Sequence, residues 1–230
     1  MKKVFPVLAL LAAGLLSYAL YEAVVVAPTE QTMGDVQRIF YYHVPSAWTA
    51  FLLFFINFVA SLWYLIRKNT SADILALVTA EVGVVFCTVV LVTGPLWARP
   101  VWGIWWTWDI RLTSTLVLWL IYVSYILLRR FSTSGQTPVL AAALAVFGAL
   151  DVPLVYFSIW FFRTQHPQPV IGGGGSIDKR MLHVLLINWL AFMCFAFLVC
   201  WSRYRLERVQ RDVEETQALE ALLEPRSAVR

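Results

Sequence analysis

Charge is what this 230-residue sequence has least of: Asp, Glu, Lys and Arg make up 14% of it, against 60% hydrophobic residues. A soluble domain carries about a quarter charged residues, so the composition points to a polytopic membrane protein, and a mean hydropathy of +0.70 agrees. Cysteine is scarce too. Cys87, Cys194 and Cys200 lie inside apolar runs and form no CxxC pair, so neither a disulfide framework nor a thiol redox site is implied. There is no concentrated basic patch; the net charge of +4 is spread over short loops and a tail, which argues against nucleic acid as a partner. No HExxH or clustered histidine spacing suggests a zinc site. No internal repeat is present. The tract Gly172-Gly173-Gly174-Gly175 lacks the Lys-Ser/Thr ending of a phosphate loop and reads as a flexible linker.

What is present is apolar length. A spanning helix needs roughly 20 apolar residues, and six stretches qualify, near 4–27, 45–66, 74–95, 113–130, 138–161 and 183–202. The first follows Lys2 and Lys3 but is longer than a signal-peptide core and shows no small-x-small cleavage site, so an uncleaved span is expected. The expected fold is therefore all-α: a six-helix integral membrane domain over 1–204, followed by a charged tail over 205–230. Pro45 is expected in the first turn of its helix, where a missing N–H costs nothing. The Glu- and Arg-rich tail reads as a solvated continuation of the last helix.

Six spans put both termini on one side. With that side cytoplasmic it carries Lys2, Lys3, Arg67, Lys68, Arg129, Arg130, Arg203, Arg205, Arg208 and Arg211, against Arg38, Arg99, Arg111, Arg163, Lys179 and Arg180 outside. The positive-inside bias favours this orientation. The three substantial connections, 28–44, 96–112 and 162–182, then face outward.

Five of the eleven tryptophans fall in one of them, at Trp97, Trp102, Trp105, Trp106 and Trp108. Interfacial anchoring uses one or two per helix end. Trp102, Trp105, Trp106 and Asp109 stand at i, i+3, i+4 and i+7, the spacing of one face of a helix, so a short amphipathic helix on the outer surface is expected. Arg99 and Arg111 bracket it, and guanidinium groups bind carboxylates in bidentate fashion. Indole faces flanked by arginines suit a planar ligand with acidic substituents, such as haem. The competing reading is an interfacial helix whose tryptophans sit at headgroup depth.

All three histidines, His43, His166 and His183, lie on the outer side of this topology. Two imidazoles approaching a porphyrin iron from opposite faces complete six-coordination, and position alone does not choose between His166 and His183. Glu81 and Asp151 are intramembrane acids. With no lysine or arginine expected opposite them, they do not make a proton relay.

The stretch Gly94-Pro95-Leu96-Trp97-Ala98-Arg99-Pro100-Val101-Trp102-Gly103-Ile104-Trp105-Trp106-Thr107-Trp108-Asp109 resembles the tryptophan-rich WWD signature of haem-handling membrane proteins. In size, span number, and the motifs His43-Val44-Pro45 and Arg163-Thr164-Gln165-His166, the chain is similar to the cytochrome c maturation C (CcmC) family. That resemblance implies a bacterial inner-membrane protein with both termini cytoplasmic. It would present haem b, as cargo, on the periplasmic side and pass it to the haem chaperone CcmE, alongside CcmD and the ABC-type subunits CcmA and CcmB. It implies no enzyme activity in this chain; ATPase activity would reside in a partner. It also implies iron ligation by His43 and His166. The ring would be cradled by Trp97, Trp102, Trp105, Trp106 and Trp108, with Asp109, Arg99 and Arg111 around it. Phe161-Phe162 stands where the family pattern has a Trp-Trp pair, and Asp151 where it has asparagine. The rival readings are a CcsA- or CcmF-like haem ligase and a transporter permease with merely interfacial tryptophans.

Overall fold

The computed structural model describes residues 4–169, 171 and 177–223; the glycine tract at 172–175, Lys2, Lys3 and the end of the tail lie outside the described residues. The elements are α1 (Val4–Tyr21) with a wider turn after it (Glu22–Val26), a 3-10 turn (Asp35–Ile39), α2 (Phe40–Arg67), α3 (Thr70–Trp102), α4 (Ile110–Phe131), α5 (Thr137–Ala149), α6 (Asp151–Phe161) and α7 (Lys179–Leu223). Among the described residues, six helical stretches are long and apolar enough to cross a membrane.

The second of these begins earlier than hydropathy alone suggests, at Asp35, because the 3-10 turn runs straight into α2. Pro45 is therefore inside α2 and not in its first turn, and it leaves the Tyr41 carbonyl without an i+4 donor. Arg38, one of the basic residues expected outside, has a structural task here. Its Nη1 donates to the carbonyls of Ala23 (2.8 Å) and Ala27 (3.2 Å), where the first span ends, while its Nε donates to Asp35 (2.9 Å). The fifth span is broken at Leu150, between α5 and α6. Pro153 supplies no N–H to the Ala149 carbonyl, which accounts for the break.

α2 is the hub and packs on α3, α5 and α7. Phe54 on α2 stacks on Tyr122 of α4 with centroids 3.9 Å apart and planes 11° from parallel. Gly83 makes this possible from the α3 side: a Cβ there would lie 2.6 Å from the Phe54 ring. The stacked ring cannot yield to it without breaking the pair.

Two expectations about charge are corrected at the end of the bundle that holds the α2–α3 turn. Glu81 does face an arginine: Arg203 donates to both its oxygens, at 2.8 and 2.9 Å. The start of the tail is not simply solvated either. α7 continues to Leu223 as expected, but Arg211 donates to the buried Asp73 (2.8 Å) and to Glu207 (3.0 Å). Arginine's reach from α7 back to α3 is what hydropathy could not reveal.

Candidate functional site

The tryptophan segment is not a separate helix. α3 continues through Trp97 to Trp102 and stops at Gly103, whose φ of 80° is left-handed and whose N–H bonds the Arg99 carbonyl (3.0 Å). Asp109 then caps α4, its Oδ1 accepting the Leu112 N–H at 3.0 Å. The residues between the two caps, 104–108, are irregular. The i, i+3, i+4, i+7 spacing is thus split between a helix end and an irregular loop.

Beside this loop lies a cavity of about 920 Å³, near the top of the range for cofactor sites, roughly 300–1,000 Å³. Its walls include Trp97, Trp102 and Trp106, with His43, His166 and Arg111. Trp97 and Trp102 meet edge to face at 5.2 Å, holding two indoles at right angles across one turn of α3.

The two histidine rings face this space with centroids 6.4 Å apart and planes inclined by 33°. Two imidazoles bound to one metal ion, each at about 2 Å, have centroids separated by roughly 6 Å. Their hydrogen bonds fix which nitrogen is free. Thr93 donates its hydroxyl proton to the Val89 carbonyl (2.6 Å), so its oxygen accepts from His43 Nδ1 at 2.9 Å. His166 Nδ1 lies 2.9 Å from the Pro167 carbonyl, which can only accept. Both rings are therefore Nδ1–H tautomers with an unshared pair on Nε2, the form a metal ligand needs. Burial, and next the Arg111 charge, push His166 down to about 4, so this ring is neutral at physiological pH. Gly94 packs beside the other ring, where a Cβ would meet His43 Cε1 at an ordinary contact distance of 3.5 Å.

Asp109 does not line the cavity but works at one remove. Its Oδ2 accepts from Thr164 Oγ1 (2.8 Å) and Thr107 Oγ1 (3.2 Å), and Thr164 Oγ1 in turn accepts the His166 N–H at 3.1 Å. The aspartate of the tryptophan signature thus clasps the loop that carries His166.

Several predicted residues are elsewhere. Trp105 (56% exposed) and Trp108 (76% exposed) are not in the cavity wall. Arg99 lies over the Trp105 ring at 5.9 Å and bonds the Gly103 carbonyl. His183 is exposed on α7 and does not line the cavity, and neither do Phe161 and Phe162, so their departure from the Trp-Trp pattern leaves the walls untouched. Arg111 donates to the carbonyls of Val155 (3.2 Å) and Tyr156 (3.5 Å), tying α4 to α6 at the cavity edge. Thr93, Gly94 and Arg180 were not singled out by the sequence; Arg180, at the start of α7, lines the same cavity. Only the Arg-Thr-x-His motif carried a signal for Thr164.

Comparison with known proteins bears on this site. The family described as Heme exporter protein C (CcmC) matches residues 1–219. The chain belongs to the CcmC family. Heme exporter protein C of Bradyrhizobium diazoefficiens is 35% identical over 222 residues, 95% of this chain and 84% of the relative. That of Escherichia coli K12 is 33% identical over 185 residues, covering 80% and 73%. A putative cytochrome c biosynthesis ccmC-like mitochondrial protein of Marchantia polymorpha is 33% identical over 185 residues, covering 80% and 78%. As a CcmC-family member with six candidate spans, this chain is a multi-pass membrane protein.

Proposed function

We propose that this protein binds haem b between His43 and His166 at the periplasmic face of a bacterial inner membrane, and hands it to the haem chaperone CcmE. CcmD and the ABC-type subunits CcmA and CcmB would complete the assembly, and the membrane domain would comprise residues 1–204. CcmC-family membership carries the coarser part of this reading: a membrane component that handles haem as cargo in cytochrome c maturation, together with other Ccm subunits.

The observation that supports the finer part is the histidine pair. Two rings at bis-imidazole spacing, each with Nδ1 occupied and Nε2 free, suit an iron between them. Trp97, Trp102 and Trp106 offer π-faces for the ring, and Arg111 and Arg180 offer cations for the two propionates. Nothing in this arrangement calls for bond-making chemistry. Titrating purified protein in nanodiscs with haem tests the reading: a low-spin, six-coordinate spectrum at one haem per chain is expected. A five-coordinate or absent spectrum refutes it.

Two variants probe the supports of the ligands. Thr164→Val keeps the shape but cuts both the Asp109 and the His166 links. It is expected to weaken haem binding roughly 10–100-fold, as loss of an outer partner of a metal ligand does, with little change in Tm. Gly94→Ala adds only an ordinary contact to His43 and should bind normally. Gly94→Leu pushes into the ring, and an overpacking strain of about 1–3 kcal/mol should lower haem affinity around tenfold or more in the same titration.

A further inference from the structure

We propose that haem reaches the His43–His166 cavity sideways from the bilayer, through a wall made by Leu91, Pro95 and Trp106. The inference rests on the haem reading above and adds the route. A second concavity, an apolar groove between the outer ends of α3 and α4, is lined by Leu91, Pro95, Trp106, Trp108 and Leu116. The first three of these also line the cavity, so one layer of side chains separates the two spaces. The groove is thus one side-chain layer from the histidine site, and its apolar lining matches the flat apolar edge of a porphyrin.

The wall stands where α3 lacks a backbone hydrogen bond. Pro95 has no N–H to give the Leu91 carbonyl, so one of the two hydrogen bonds that α3 loses to its prolines, Pro95 and Pro100, joins two of the three residues of the partition. Trp106, the third member, belongs to the irregular loop between Gly103 and Asp109. Among the described residues its buried indole Nε1 has no hydrogen-bond partner. An unsatisfied buried donor favours any state that gives it an acceptor, and a carboxylate of passing haem is one. Trp108, 76% exposed and edge-on to Trp106 at 5.8 Å, stands at the outer side of the groove.

Leu116 lines the groove and not the cavity, so Leu116→Trp should plug the route without touching the ligands. Wild type and Leu116→Trp in nanodiscs would be loaded by stopped flow, with haem supplied either in the disc lipid or as an albumin complex in buffer. From lipid, the variant should develop the six-coordinate spectrum on the order of tenfold more slowly, with unchanged final amplitude. From albumin, its rate should match wild type. Leu116→Phe, a milder plug, gives the same reading if Leu116→Trp fails to fold. An unchanged rate from lipid overturns the lateral route, as a groove occupied only by lipid would give. Equal slowing from both sources also overturns it, by placing the effect in the cavity. A wild type that never becomes six-coordinate instead defeats the haem reading itself.

Discussion

Replacing His166 with glycine is expected to turn six-coordinate haem five-coordinate and to weaken its retention by more than about 100-fold. Loss of an outer partner alone costs roughly 10–100-fold, and here the ligand itself goes. Imidazole in the buffer should restore the six-coordinate spectrum, because His43 remains held by Thr93 and the vacated space lies under the accessible loop that carries position 166. His43→Gly should lose haem as severely but respond less to imidazole, since its ring packs inside α2 against Gly94 of α3. His183→Ala should behave as wild type. Haem loss in His183→Ala alone would refute the assignment. The neutral state of His166 has its own check. Burial disfavours its charged form, so the fold resists protonating it, and protonation sets in only as pH falls towards about 4. By NMR in the haem-free protein, this imidazole should keep its neutral-form shifts at about pH 5.5, where a free histidine is mostly protonated.

How far the sequence anticipated this site depends on the kind of signal each residue left. Six spans were legible because apolar length is a strong, additive property. His43 and His166 stood out as histidines within motifs, although composition and position left His166 level with His183. The geometry separates them: His166 faces His43 at 6.4 Å, while His183 is exposed. The tryptophan helix misled because its spacing is a periodic pattern that two local stops overrule, a left-handed Gly103 and the capping Asp109. Periodicity sums over a window, whereas a cap acts at one residue. As a result Trp105 and Trp108 turn outward while Trp97, at the wrong spacing for the predicted face, lines the cavity. Thr93 and Gly94 were silent because their value comes from a neighbouring helix, fifty residues away in sequence for the His43–Thr93 bond. Asp109, expected around the ring, proves to be both the cap of α4 and the clasp on Thr164.

The largest stability effect is expected far from the cavity, from Asp73→Ala. Asp73 lies in the first turn of α3 with its side chain 3% exposed, and it accepts from Arg129 of α4 at 2.6 and 2.7 Å and from Arg211 of α7 at 2.8 Å. One carboxylate therefore joins three helices. Arg129 is 9% exposed, so deleting its partner strands a buried guanidinium, which costs about 3–5 kcal/mol. Arg211→Ala should cost far less, because that side chain is 26% exposed and retains no buried charge when removed. The contrast separates a buried network from surface pairing. Thermal unfolding in detergent should therefore show a large drop in Tm for Asp73→Ala and a small one for Arg211→Ala. The double variant Asp73→Leu/Arg129→Leu removes both buried charges together and should recover most of the loss, since the remaining ion, the partly exposed Arg211, keeps its bond to Glu207. If the double variant is as unstable as Asp73→Ala, the cost lies in lost packing and not in a stranded charge. If Asp73→Ala leaves Tm unchanged, the three-helix junction is not what holds α7 against α3 and α4. In that case the two hydrogen bonds from Arg203 to Glu81 (2.8 and 2.9 Å), farther along α3, carry the attachment of α7 to α3.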